Sequence, residues 1–302
     1  LVGASGGAFF APLIATTLGW FDKHRSLAVS LVSLGAGVAP MTMTPLATVL
    51  IEIFGWRDAM MITAFAATIF IIPAAFLIRR APKALAEAPT PGSDVVPSPK
   101  PPTSIGTILR TPQFIVLAAV FFMCCGAHSG PIFHTVSYAM LCGASALAAA
   151  SIYSVEGLAG LFGRVIFGAL ADRIGVKRVI IVGLLLQAAG IYAYIYVSEL
   201  THFYWLAAVL GLVYGGVMPL YSVLARDYFG PKVMGTVLGG ITMTSAIGMA
   251  FGPVGGGYLF DTFGDYQWLY IASAAIGLAA AILALAFPPK AEDAAPNDAL
   301  PA

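Results

Sequence analysis

Apolar residues run along this chain in long blocks, with polar positions gathered between the blocks rather than alternating within them. No period-two pattern and no amphipathic stripe competes. A helix needs about 20 apolar residues to cross the hydrocarbon layer of a bilayer. Nine blocks meet that length: residues 1–19, 26–53, 57–78, 113–141, 146–170, 176–197, 203–225, 234–259 and 267–287. Several are longer and predict helices that tilt or extend past the hydrocarbon. The pattern predicts an all-α membrane protein, a helical bundle in a lipid bilayer.

Composition agrees. Of 302 residues, 59% are hydrophobic and 10% charged, where soluble domains carry about 25% charged residues. A net charge of +1 gives no electrostatic reason for a nucleic-acid partner. Cys124, Cys125 and Cys142 lie in or beside apolar blocks without C-x-x-C spacing, and read as packing residues. No G-x-S-x-G, H-E-x-x-H or phosphate loop occurs, so no enzyme, resident metal or cofactor is expected.

Nine spans alternate sides, so the basic residues orient the chain. Lys23, Arg25, Arg79, Arg80, Lys83, Lys100, Arg110, Arg173, Lys177, Arg178, Arg226, Lys232 and Lys290 fall on one side and Arg57 on the other. The positive-inside rule places the first set in the cytoplasm, with the C-terminus, in a multi-pass protein of the cell membrane. Seven prolines between Pro82 and Pro102 exclude a stable helix through most of a linker; Thr103 to Arg110 is expected to be a short interfacial helix. The expected organisation is a partial N-terminal half of three helices (1–80), a cytoplasmic Pro-rich linker (81–111), a six-helix C-terminal half (112–287) and a disordered cytoplasmic tail (288–302). A weak internal repeat supports two related halves: Gly3 and Gly7 align with Gly211 and Gly215, and Trp20-Phe21 with Tyr228-Phe229, at an offset of 208. The chain opens inside an apolar block, and an unequal pair of halves predicts about three helices ahead of Leu1.

The stretch from Gly163 to Val179 is the most specific in the chain. Gly168, Asp172-Arg173, Gly175 and Lys177-Arg178 resemble the signature loop of the major facilitator superfamily between its eighth and ninth helices; Val176 stands where that family often has a basic residue. Gly19 to Ala28 resembles the loop between its fourth and fifth helices, Phe54 to Arg57 the turn before its sixth, and Gly252 to Asp261 its eleventh helix. Phe133 to Ala139, then Gly143, Gly157 and Gly163-Arg164, resemble the seventh and eighth helices of the monocarboxylate and oxalate/formate type. The resemblance implies about nine transmembrane helices present of twelve. It also implies that Asp172 lies near the N-terminus of the span beginning at Ser26, and that Gly252, Pro253 and Gly256 pack helices. Gly35, Gly37, Gly239, Gly240 and Gly257 are further close-packing candidates, and Pro40, Pro45 and Pro219 candidates for kinks.

Two charged residues fall well inside a span, Glu156 and Arg164. Burying such a group costs about 2.5–3.5 kcal/mol or more at the bilayer centre, which favours a cavity-facing position or a partner. Arginine suits a carboxylate because its planar fork binds one through two parallel bonds. By the resemblance, monocarboxylate-type relatives carry an arginine eight positions before the loop aspartate, as Arg164 stands before Asp172, and an acid one turn earlier; here that position is Gly160. Arg164 either opens toward a cavity facing residues 1–53 or braces the loop. His128 and His134 are candidates for substrate or proton contact, or hydrogen-bonded core residues. Tyr138, Tyr153 and Tyr214 are candidates to line a cavity, or packing.

The function expected is secondary active transport of small organic anions by rocking two halves around a midplane site, as proton symport or anion exchange, by a monomer. Export of drugs or metabolites is the alternative, which many cavity aromatics and no essential arginine would favour. A non-transporting membrane sensor would need a signalling domain, and the sequence offers none.

Overall fold

The computed structural model describes residues 12–21, 24–79, 105–230 and 233–288. They are almost wholly helical, with no strand among them. The first described helix, α1, covers 12–20. It is followed by α2 (Arg25–Val32), α3 (Gly35–Phe76), α4 (Ile105–Leu109), α5 (Pro112–Leu141), α6 (Ala146–Ile174), α7 (Val176–Ala193), α8 (Leu200–Phe229), α9 (Met234–Phe263) and α10 (Gln267–Ala284), with a 3-10 turn at Tyr194–Tyr196 after α7. Most of the linker, the tail after Pro288 and the start of the first block lie outside the described residues.

Seven of these segments are long and apolar enough to cross a membrane. The expected spans 26–53 and 57–78 are drawn into one long helix, α3, but Gly55 breaks it with φ 76° and ψ 163°, a backbone conformation that a side chain would strain. The block 26–53 is also not one helix. After Val32 the Ser33 hydroxyl donates to Ser30 O at 2.9 Å, and Leu34 N bonds Leu31 O. That tightened turn competes with continued α-helix, and Gly35 begins the next segment. The short helix expected at Thr103 to Arg110 is α4.

Local chemistry starts and stops the helices from α5 onward. Thr111 accepts from Phe114 N at 3.3 Å and Pro112 fills the first helical position of α5, where its missing N–H is no loss. Ser145 caps α6 in the same way, accepting from Ala148 N at 3.3 Å. Gly175, at φ 96°, ends α6 and opens α7 without an intervening loop.

α5 to α10 form a bundle in which α6 lies along α8, α5 along α9 and α10, and α7 against α8 and α10. α6 is the shared element, because α2 and α3 pack on it as well. Small residues set the closest seams. A Cβ at Gly163 would run into the backbone carbonyl of Leu212, and one at Gly211 into that of Glu156, so α6 and α8 meet at backbone distance. Of the expected packing glycines, Gly252 meets the Ser129–Gly130 backbone, Gly240 and Gly256 meet the side chains of Phe114 and His134, and Gly35, Gly239 and Gly257 face open space. Cys124 and Cys125 are buried; Cys142, at the end of α5, is exposed rather than packed.

Candidate functional site

The two ends of the bundle differ. At one end α2 begins with no side-chain cap of its own; instead Ser26 N and Leu27 N donate to the two carboxylate oxygens of Asp172, at 3.2 and 3.3 Å. An anion satisfies orphan N–H groups there and faces the positive end of the helix dipole. This is the contact the signature-loop resemblance implies. His24 Nδ1 approaches the same carboxylate at 4.0 Å. A second carboxylate, Asp227 near the end of α8, lies 4.0 Å from Arg25; the sequence analysis passed it over. Around the same end Trp20 donates to Arg79 O at 3.2 Å, and Lys177 and Tyr228 both donate to Pro288 O. Gly168 lies against Leu27 and Ser30 of α2. Arg173 and Arg178 are exposed.

Deep in the bundle α5, α6 and α8 bring four of the candidates together: His128, Glu156, Arg164 and Tyr214. The His128 ring stacks on Tyr214 with centroids 3.5 Å apart and planes 8° from parallel. Its Nε2 lies 3.2 Å from Glu156 Oε1, with side chains 1% and 13% exposed. Neither ring nitrogen has a hydrogen-bond partner among the described residues, so distance rather than alignment joins the pair. Tyr214 OH points to Met249 Sδ at 3.6 Å and Cys125 Sγ at 4.0 Å.

Arg164 is 7% exposed. It folds back along its own helix, where Nη1 donates to Gly160 O at 3.0 Å, and the same nitrogen lies against Gly215 of α8. Its Nε has no partner, and no carboxylate stands within ion-pair distance of it among the described residues. Among the described residues the guanidinium occupies the α6–α8 seam rather than opening toward 12–53. The i−4 position is Gly160 for a visible reason, since a Cβ there would already press on Gly211 O at 3.3 Å and on Arg164 itself at 3.1 Å.

The remaining candidates sit elsewhere. His134 Nε2 meets Pro253 O at 3.0 Å beside Gly256, bridging α5 to α9. Tyr138 donates to Val197 O at 2.7 Å among Phe203, Tyr266 and Tyr270, toward the end opposite Asp172. Tyr153 donates to Ile132 O and so ties α6 to α5. Pro131, which no pattern in the sequence marked, lies inside the continuous α5. Gly211 and Gly215, aligned there only as repeat positions, have the small-xxx-small spacing of a close helix seam, and that spacing was the signal available for it.

The model of the Major Facilitator Superfamily matches residues 1–175 and 142–301. The chain belongs to the major facilitator superfamily. Its relatives within it include monocarboxylate transporter 13 of Bos taurus, 28% identical over 297 residues, which cover 95% of this chain and 66% of that one. Monocarboxylate transporter 12-B of Danio rerio is 26% identical over 300 residues, covering 90% and 63% respectively. The chain therefore spans slightly less than two thirds of the length of these relatives. The crystal structure of the human organic anion transporter MFSD10 superposes with a TM-score of 0.68 at 19% identity, over 91% of this chain and 67% of that one, a likeness of fold. All three align with a chain whose helices α5 to α10 carry the buried cluster and whose Asp172 loop engages α2.

Proposed function

We propose that the protein is a secondary transporter of small organic anions, of monocarboxylate type, with Arg164 as the group that binds the substrate carboxylate. One observation carries this reading: a buried guanidinium with a single backbone hydrogen bond, an unpartnered Nε and no counter-carboxylate within ion-pair distance among the described residues. A buried charge without a partner is costly to hold, and a transported carboxylate would supply the missing partner with two parallel bonds. Relatives named for monocarboxylate transport support the substrate class. The Asp172–α2 contact supports alternating access, because it is a small, breakable joint between the first and second parts of the chain. The end that carries it is the cytoplasmic one by its basic residues. Coupling is by proton symport or anion exchange.

The test is substrate affinity and surface abundance measured together in the full-length protein, with a panel of labelled carboxylates. Arg164→Ala removes the fixed counter-charge and should weaken binding at least 100-fold. Arg164→Lys keeps the charge but loses the fork and should weaken it about 10-fold or more. Unchanged affinity with lowered abundance would make Arg164 a brace for the loop and end the claim.

A further inference from the structure

Glu156 and His128 meet at 3.2 Å, while Arg164, eight residues further along α6, bonds Gly160 O and lies against Gly215 of α8. Resting on Arg164 as the anion site, we propose that Glu156 and His128 form one proton-holding unit, separate from that site, so that the cluster takes up one proton with each carboxylate it binds.

The geometry isolates the pair. His128 is buried and stacked on Tyr214, and Glu156, 3.2 Å away, is its one charged neighbour within ion-pair distance among the described residues. Most buried histidines have a ring nitrogen fixed by a carbonyl or hydroxyl. This one has neither among the described residues, and the Glu156 carboxylate is the group placed to share a proton with it. Around the pair, α5 presents Cys124 and Cys125, α6 Tyr153 and Arg164, the 3-10 turn Tyr194, α8 Tyr214 and Tyr221, and α10 Tyr270. α7 offers Gln187, and α9 Ser245 and Met249, none of which ionises. Phenols and thiols are ordinarily neutral near pH 7. The charge of the cluster near neutrality is therefore carried by Arg164, Glu156 and His128.

The proton balance follows. With Arg164 and Glu156 charged and His128 neutral, the sum is zero. One proton from solvent, held on the His128–Glu156 pair, raises it to +1. A carboxylate at Arg164 returns it to zero. In a site of low dielectric a net positive cluster receives an anion far better than a neutral one, so the proton and the anion favour each other's binding, and the coupling is reciprocal. The seam explains why the proton is not held next to Arg164: Gly160 and Gly215 close on each other there, and a Cβ on Gly215 would lie 2.7 Å from Gly160 Cα, leaving no room for an acidic side chain. Tyr214 and Gly215 are neighbours in sequence, one against His128 and the other against Arg164, so α8 touches both charges while keeping them apart.

The experiment uses the full-length purified protein in lipid nanodiscs, with a panel of one- to four-carbon mono- and dicarboxylates, read two ways. First, Kd is measured between pH 7 and 9, with proton uptake on binding followed in weakly buffered medium. The wild-type Kd should rise about tenfold per pH unit above the pair's titration, the slope that linkage requires for one proton, with one proton taken up per anion. Glu156→Gln fixes the cluster near +1, so uptake should vanish and Kd should stay near the wild-type low-pH value throughout. Second, without any carboxylate, the Glu156 infrared carboxyl band and the His128 ring 15N resonance should titrate with a shared midpoint, and Glu156→Gln should move the histidine midpoint. Carboxylate binding with a flat wild-type Kd, or full proton uptake in Glu156→Gln, would overturn the proposal while leaving Arg164 as the anion site. If no carboxylate binds, or Arg164→Ala binds normally, the anion reading fails. The proton unit then stands on the shared midpoint and falls if the two groups titrate independently.

Discussion

Two stretches of similar apolar character behave in opposite ways. Only 6% of the core of Met41–Phe76 is buried within the protein, against 67% in Leu200–Phe229. Phe65 and Phe70 on α3 are 71% and 75% exposed, while Phe203 and Tyr221 on α8 are fully covered. The difference teaches that apolar composition specifies what a helix tolerates around it, not which helix it touches. Lipid tails are as apolar as leucine, so association in a membrane depends on close packing and hydrogen bonds instead. α8 has both: Gly211 and Gly215 admit α6, and the Tyr204 hydroxyl shares a hydrogen bond of 2.7 Å with the Ser151 hydroxyl of α6. The second part of α3 after Gly55 presents bulky side chains, and its surface is one that hydrocarbon or further protein must cover.

The comparison is tested most severely at Phe203. Truncating a buried aromatic leaves a cavity, and Phe203→Ala should cost about 3–5 kcal/mol. It would be read as a large drop in the thermal midpoint of the protein in nanodiscs; a negligible drop would mean that the bundle is looser than its burial suggests. The joint between the two regions should respond less. Asp172→Asn keeps an acceptor but removes the charge, and charge-assisted bonds exceed neutral ones by about 1 kcal/mol each. A roughly fivefold to thirtyfold loss in the population with α2 docked is expected, read as faster modification of a cysteine placed at Ser26, with insertion unchanged. An unaltered rate would show that Asp227 and Arg25 hold α2 without it. The smallest effect belongs to the exposed arm: Phe70→Ala should shift stability by no more than about 0.5 kcal/mol. A loss approaching that of Phe203→Ala would show that α3 is packed against protein in the membrane and would dissolve the contrast.

Much of the site was legible in part. Spacing alone marked Asp172 and the turn at Gly175, because a tight turn between two spans leaves few places for charges. The contact of Asp172 with the start of α2 was legible only through the family resemblance, since the partners are 146 residues apart. Asp227 was missed because it ends an apolar block with no pattern around it. Arg164 and Glu156 were visible as charges inside spans, yet their surroundings were not.

The sequence by itself determined that this protein crosses a membrane as helices, where those from α5 onward begin and end to within a few residues, and which ionisable groups lie within them. Those properties depend on the transfer of each side chain out of water, which is local and additive along the chain. The tertiary structure alone decided that His128 rests on Tyr214 beside Glu156, that Arg164 turns into the α6–α8 seam, and that His134 and Tyr138 leave the cluster for α9 and the far end. A helix that is apolar all round carries no stripe to say which face turns inward. Its rotation and register are fixed by where small residues let two backbones approach, as Gly163 and Gly211 do, and that is a property of the pair of helices rather than of either sequence.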